Sequence, residues 1–186
     1  MKRIELEHLI RACGQLTNHY EFVIVGSQAI LGSVPNPKGV LTLSMEADIY
    51  PRNAPELADQ IDANLGEGSR FHQTHGYYAQ GVGPETAVLP AQWLSRVHRV
   101  QNKNTNERVG YCIGVLDLFL SKAAAARQKD RDFCMALLEH RYVLLNDALP
   151  LIATMPLDPK EQRALRARVR RWAKALRDAG RDIPIA

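Results

Sequence analysis

The feature that most constrains this chain is an apolar run that stops dead at a small corner. Phe22-Val23-Ile24-Val25 is uncharged and largely β-branched, which reads as a buried strand, and Gly26-Ser27 ends it. Ser27 is placed to N-cap a helix through Gln28-Ala29-Ile30-Leu31. Pro35-Asn36-Pro37-Lys38-Gly39 can only be a loop. Val40 to Ser44 then leads into Glu46-Ala47-Asp48-Ile49-Tyr50. Strand alternation there sets Glu46, Asp48 and Tyr50 on one face and Ala47 and Ile49 on the other.

Around this unit the periodicities predict an α/β chain with a helical C-terminal part. Ile4, Leu6, Leu9, Ile10, Cys13 and Leu16 form a helical stripe over residues 3–20, which Gly14 weakens. Leu57, Ile61 and Leu65 mark another helix, begun near Pro55 and ended by Gly66. Strands are expected at Tyr77–Val82, at Glu85–Leu89 and at Val109–Val115, with a strand or short helix over Trp93–Val100 and a turn at Asn102–Asn106. Asp117 to His140 reads as one helix. Residues 159–178 form a second helix, with Leu165, Val169, Trp172 and Leu176 as its apolar stripe.

The 186 residues suit one α/β domain over residues 1–146 and a basic helical extension over 147–186 packed on it. No apolar run approaches the roughly 20 residues that span a bilayer, and the N-terminus lacks the apolar stretch of a signal peptide, so a cytoplasmic location is expected by elimination. Cys13, Cys112 and Cys134 are widely spaced, with no zinc spacing among them, and are expected as buried free thiols. The net charge of +4 is modest but uneven. Lys160, Arg163, Arg166, Arg168, Arg170, Arg171, Lys174 and Arg177 stand against Glu161 alone, so any argument about a polyanion belongs to that helix.

The corner and the acids carry the chemistry. A Gly-Ser corner lets a triphosphate approach the backbone, and a helix starting there would offer unpaired N–H groups. Two carboxylates one residue apart on a strand point the same way, so both can grip a Mg²⁺ ion that also touches phosphate oxygens.

Gly26-Ser27 followed by Glu46-x-Asp48 resembles the Gly-Ser, Asp-x-Asp signature of the polymerase-β-like nucleotidyltransferases. Asp117-Leu118-x-x-Ser121-Lys122 and Arg127-x-Lys129-Asp130 resemble the helix motif of the abortive-infection (AbiEii-type) nucleotidyltransferase toxins and their uncharacterised relatives. The resemblance covers roughly residues 20–140. It implies a mixed sheet flanked by helices and transfer of a nucleotide from a nucleoside triphosphate to a hydroxyl of RNA, such as tRNA, or of a protein. It further implies that Gly26 and Ser27 contact triphosphate, that Glu46 and Asp48 ligate Mg²⁺, that Lys122 reaches phosphate with Arg127 or Lys129 in support, and that Asp130 is an active-site residue. By the same analogy the chain would be the toxin of a toxin–antitoxin or phage-defence pair, with an antitoxin protein as partner and no membrane.

Two departures stand out: Glu46 replaces the family's usual Asp, and the gap from Ser27 to Glu46 is longer than in the smallest nucleotidyltransferases, with Pro35 to Gly39 read as an inserted loop. A third carboxylate also has no clear counterpart, with Asp62 and Asp117 the candidates. A catalytically inactive module of this fold, binding RNA or a protein partner, would show the same departures. Plainer readings stand beside each motif: an edge strand with solvated acids, a charged helix face at 122–130, and a solvated basic helix. His72 and His75 are three residues apart without a third ligand and are expected in a surface loop.

Overall fold

A computed structural model describes residues 1–184. The chain divides into two compact units: Met1–Ala87 with Leu94–Gly114, and Val88–Trp93 with Val115–Ala186.

The first unit is a five-stranded mixed sheet with helices. The element order is α1 (Arg3–Thr17), β1 (Glu21–Val25), β2 (Glu46–Pro51), α2 (Ala58–Leu65), α3 (Arg70–His75), β3 (Tyr78–Gly81), β4 (His98–Val100) and β5 (Val109–Cys112). The spatial order is β3-β2-β1-β5-β4. β1 runs antiparallel to β2 and parallel to β5, β2 is parallel to β3, and β4 is antiparallel to β5. The stripe read in α1 is real, since Leu6, Leu9, Ile10 and Cys13 are fully buried. Gly14 is not a flaw in this helix. A Cβ there would lie 1.8 Å from Arg108 Cδ and Nε, so its bareness lets the Arg108 side chain pass.

A second link fastens α1 to the loop after β4. The buried carboxylate of Glu7 accepts from Asn102 Nδ2 (2.9 Å), Asn104 Nδ2 (2.8 Å) and Arg3 Nε (3.1 Å). Burial alone would raise its pKa, but these bonds and the Arg3 charge outweigh burial and hold it below the ordinary carboxylate value.

Several expectations need correcting. The stretch Glu85–Leu89 is no strand; Pro84–Thr86 is a 3-10 turn, because Pro84 lacks the ladder donor and favours the start of a turn. Trp93–Val100 is both alternatives in succession, a 3-10 turn at Trp93–Arg96 and then β4. The helix expected over Asp117–His140 is two helices, α4 (Val115–Ala125) and α5 (Gln128–Glu139). The break falls at Ala126, which adopts φ 59° although neither Gly nor Pro stands there.

The second unit is helical: α4, α5, α6 (Leu145–Leu151) and α7 (Pro159–Asp178). The boundaries of α7 follow from its start signal. Asp158 accepts from the Glu161 N–H (2.7 Å) while Glu161 answers to the Asp158 N–H (2.9 Å), with Pro159 at the first helical position. Its stripe of Leu165, Val169, Trp172 and Leu176 is buried as read.

The three cysteines are buried free thiols. Burial pushes all three up, Cys112 to about 12. Among the described residues, no helix is long and apolar enough to cross a membrane.

Candidate active site

Sheet register brings the corner and the acids together. Val25 and Asp48 are Cα partners in the antiparallel pair, so Asp48 lies across from the last residue of β1. The next residue, Gly26, has φ 64° and ψ −168°, a conformation that side chains other than glycine adopt only at a cost of order 1–3 kcal/mol. A Cβ on Gly26 would sit 1.7 Å from Asp48 Oδ2. The carboxylate therefore occupies the space that the missing side chain leaves. Both the backbone angle and the contact demand glycine here.

The element after the corner differs from the expected helix. Ser27–Gly32 is a six-residue 3-10 helix whose N-cap is Gly26, and no side chain caps it. Gln28, Ala29, Ile30 and Leu31 are all fully buried, which suits a tight buried turn and not a helix with one apolar face. A short 3-10 turn offers less macrodipole than an α-helix. Among the described residues, neither Oε1 nor Nε2 of the fully buried Gln28 has a hydrogen-bond partner.

On β2 the alternation holds. Ala47 and Ile49 are fully buried, while Glu46 and Asp48 are half-buried on the opposite face. The parallel pairing with β3 sets Tyr78 across from Glu46 and Gln80 across from Asp48. Tyr78 Oη donates to Glu46 Oε2 at 3.0 Å. Burial, this hydrogen bond and the negative charges of Glu46, Glu67 and Asp48 push the Tyr78 phenol up to about 12, so it remains a donor. Gln80 Nε2 donates to Asp62 Oδ1 at 2.7 Å, which holds Asp62 as an exposed carboxylate of α2. Asp117, the other candidate third acid, is fully buried in α4 of the second unit.

The strand beside the acid pair thus supplies a hydroxyl and an amide where a third carboxylate was sought. Sequence reading missed Tyr78 because the pair spans 32 residues and only the strand register joins it. The alternation of Tyr78 and Gln80 within β3 was the one available signal, and it means little until β3 is known to lie beside β2.

The histidines expected in a loop lie on α3 instead. His72 Nδ1 accepts from the Gly68 N–H (3.0 Å), and its ring packs 4.6 Å from that of Tyr78. His75 stacks among His8, Phe71 and Tyr77. Among the described residues, no group of three or more His, Cys, Asp or Glu is placed to hold a metal ion.

The second set of residues sits in the second unit. The turn at Ala126 folds α5 back so that Lys122 Nζ reaches Asp130 Oδ1 at 3.1 Å, which a continuous helix would not allow at about two turns' separation. Arg127 grips the same carboxylate through Nε to Oδ2 (2.6 Å) and Nη2 to Oδ1 (3.4 Å). Lys122 Nζ also lies 4.8 Å from the centre of the Phe133 ring. Asp130 is fully buried, and burial alone would raise its pKa. The Arg127 and Lys122 hydrogen bonds and charges prevail and hold it below the ordinary carboxylate value. Lys129 points out to solvent, apart from this triad.

Glu46 and Asp48 fit a hard divalent cation that is shared with a polyphosphate. Mg²⁺ is commonly held by one or two carboxylates plus substrate phosphates, and here two oxygen donors stand on one strand face beside a corner bare of a Cβ. They do not make an all-protein cage.

A family model described as "Nucleotidyltransferase of unknown function (DUF6036)" matches residues 3–172, which takes in both sets of residues. No curated protein and no solved structure matches the chain. With nearly its whole length matched, this chain belongs to that nucleotidyltransferase family of unknown function.

Proposed function

We propose that this chain is a Mg²⁺-dependent nucleotidyltransferase that moves a nucleotide from a nucleoside triphosphate to a hydroxyl of RNA, tRNA included, or of a protein. The contact between the Asp48 carboxylate and the Cβ-less Gly26 carries the reading, because it sets a cation ligand directly against the backbone of the Gly-Ser corner. Bound Mg²⁺ would supply neutralisation of the charge that phosphoryl transfer spreads over phosphate oxygens. Glu46 and Asp48 would hold it, and Gly26 with Ser27 would let the polyphosphate lie close to the main chain. In the second unit, Lys122 would meet phosphate with the donors that its bond to Asp130 leaves, while Asp130, itself gripped by Arg127, fixes its ammonium and Lys129 presents an exposed cation.

The acceptor reading draws on α7. Lys160, Arg163, Arg170, Arg171 and Lys174 are exposed, and at 100° per residue they fall within an arc of about 100°, opposite the buried stripe. They extend over about 21 Å of helix, a length suited to several backbone phosphates. Not every basic residue belongs to that surface. Arg166 and Arg168 turn inward to the carbonyls of Leu149 (3.1 Å) and Ala123 (2.6 Å). A role as the toxin of a toxin–antitoxin or phage-defence pair, with a protein antitoxin, rests on the AbiEii-type motif resemblance alone.

The test is incubation with each labelled triphosphate, Mg²⁺ and total RNA, comparing wild type with Asp48→Ala. Label transferred by wild type and lost in the variant supports the reading, and equal incorporation by both removes it. The presence of Tyr78 and Gln80 opposite the acid pair, in place of an acid, favours one second reading: an inactive module of the same fold that binds RNA or a protein. That module would bind RNA in a salt-dependent way without Mg²⁺ and equally in Glu46→Ala, and would show no thermal shift with nucleotide.

A further inference from the structure

We infer that Tyr78 is a positioning residue for Glu46, its hydroxyl fixing one carboxylate oxygen so that the other is presented to the cation beside Asp48. The inference rests on the metal-binding reading above and deepens it.

Glu46 has one more rotatable bond than the aspartate usual at this position, so on an exposed strand its carboxylate would sample several rotamers. Here it is tethered. Tyr78 stands directly across the parallel ladder and donates to Oε2 at 3.0 Å, while Oε1 has no hydrogen-bond partner among the described residues.

Tyr78 is itself held. It is only 9% exposed, and the His72 ring packs against it at 4.6 Å. His72 in turn is anchored by the Gly68 N–H on its Nδ1 (3.0 Å) and by Ser69, which accepts the His72 N–H at 3.1 Å. A run of short contacts from residues 68–72 through Tyr78 thus ends on one oxygen of Glu46. Partners of this kind orient metal ligands and typically carry roughly ten- to a hundredfold in metal affinity. The longer side chain and the hydroxyl belong together: an aspartate at this position would fall short of Tyr78.

A buried tyrosine hydroxyl also needs an acceptor for structural reasons alone. The two roles separate by measurement. Tb³⁺, a hard oxygen-seeking ion, is titrated into the full chain and its emission is excited through the aromatic rings. The midpoint is read and not the amplitude, since Tyr78 is itself a sensitiser. Tyr78→Phe keeps the ring packing on His72 and removes only the hydroxyl. The expected result is a midpoint at least roughly tenfold weaker with an unchanged melting temperature. In a Glu46→Asp background the same change should add less than about twofold, because the shorter carboxylate no longer receives the bond.

An unchanged midpoint in Tyr78→Phe overturns the inference, as does an equal loss in both backgrounds. Asp48→Ala separates the two levels. If it loses Tb³⁺ while Tyr78→Phe does not, the metal site stands and only the role of Tyr78 falls. If neither Asp48→Ala nor Glu46→Ala alters Tb³⁺ binding, the metal reading fails and takes this inference with it.

Discussion

Glu46 and Asp130 are both hydrogen-bonded carboxylates, yet the two regions treat them oppositely. Asp130 is fully buried and met by two cations, Lys122 and Arg127. Glu46 is half-buried and met by a neutral hydroxyl. A cation beside a buried carboxylate cancels its charge and ties the pair into the fold. A neutral donor orients a carboxylate and leaves its negative charge in place. The ion pairs tie Asp130 to its neighbours in the second unit, whereas under the proposed function the acid pair of β2 would hold the cation.

The comparison can be broken most sharply by activity. Asp48→Ala should lower nucleotide incorporation by at least about a hundredfold, since metal charge stabilisation is worth several kcal/mol, while its urea-denaturation midpoint stays near that of wild type. A large loss of stability would place Asp48 with the structural carboxylates. Asp130→Ala should do the reverse and cost about 3–5 kcal/mol in denaturant unfolding, because it strands the Lys122 ammonium in a buried setting. Gly26→Ala should cost of order 1–3 kcal/mol for its backbone alone and should also displace Asp48, so that stability and activity fall together.

Acid sharpens the same contrast. Asp130 and Glu7 both have folded pKa values below their ordinary 3.8 and 4.5. Each group's contribution is present above the unfolded value and is lost as pH falls through the folded one. Stability should therefore drop below about pH 4, and Glu7→Gln should flatten part of that slope in acid titrations followed by circular dichroism. The smallest effect is expected on α7. Changing Arg163, Arg170 and Arg171 together to Ala should alter stability by less than about 0.5 kcal/mol. If the helix meets RNA, the slope of log affinity against log salt should become shallower by about 2. An unchanged slope would leave the arginines as solvated surface.

How much of this could be read in advance depended on range. The extent of α7 was legible because Leu165, Val169, Trp172 and Leu176 recur at helical spacing within one segment. The facing of Glu46 and Asp48 was legible because alternation is a property of one strand. The break after α4 was not, since Ala126 carries no helix-breaking chemistry and its left-handed turn goes with the ion pairs that Lys122 and Arg127 make with Asp130. The helix expected after Ser27 failed for a similar reason, with four consecutive buried residues overriding a favourable cap.

By itself the sequence determined which residues could carry charge to a phosphate, and which stretches had the period of a strand or a helix, because both are written in side-chain chemistry and local spacing. Only the tertiary structure decided that Asp48 fills the space beside Gly26, that Tyr78 rather than an acid stands opposite Glu46, and that Lys122 spends one donor on Asp130. Each of these follows from strand register or helix packing, where residues distant along the chain become neighbours through burial of the faces between them.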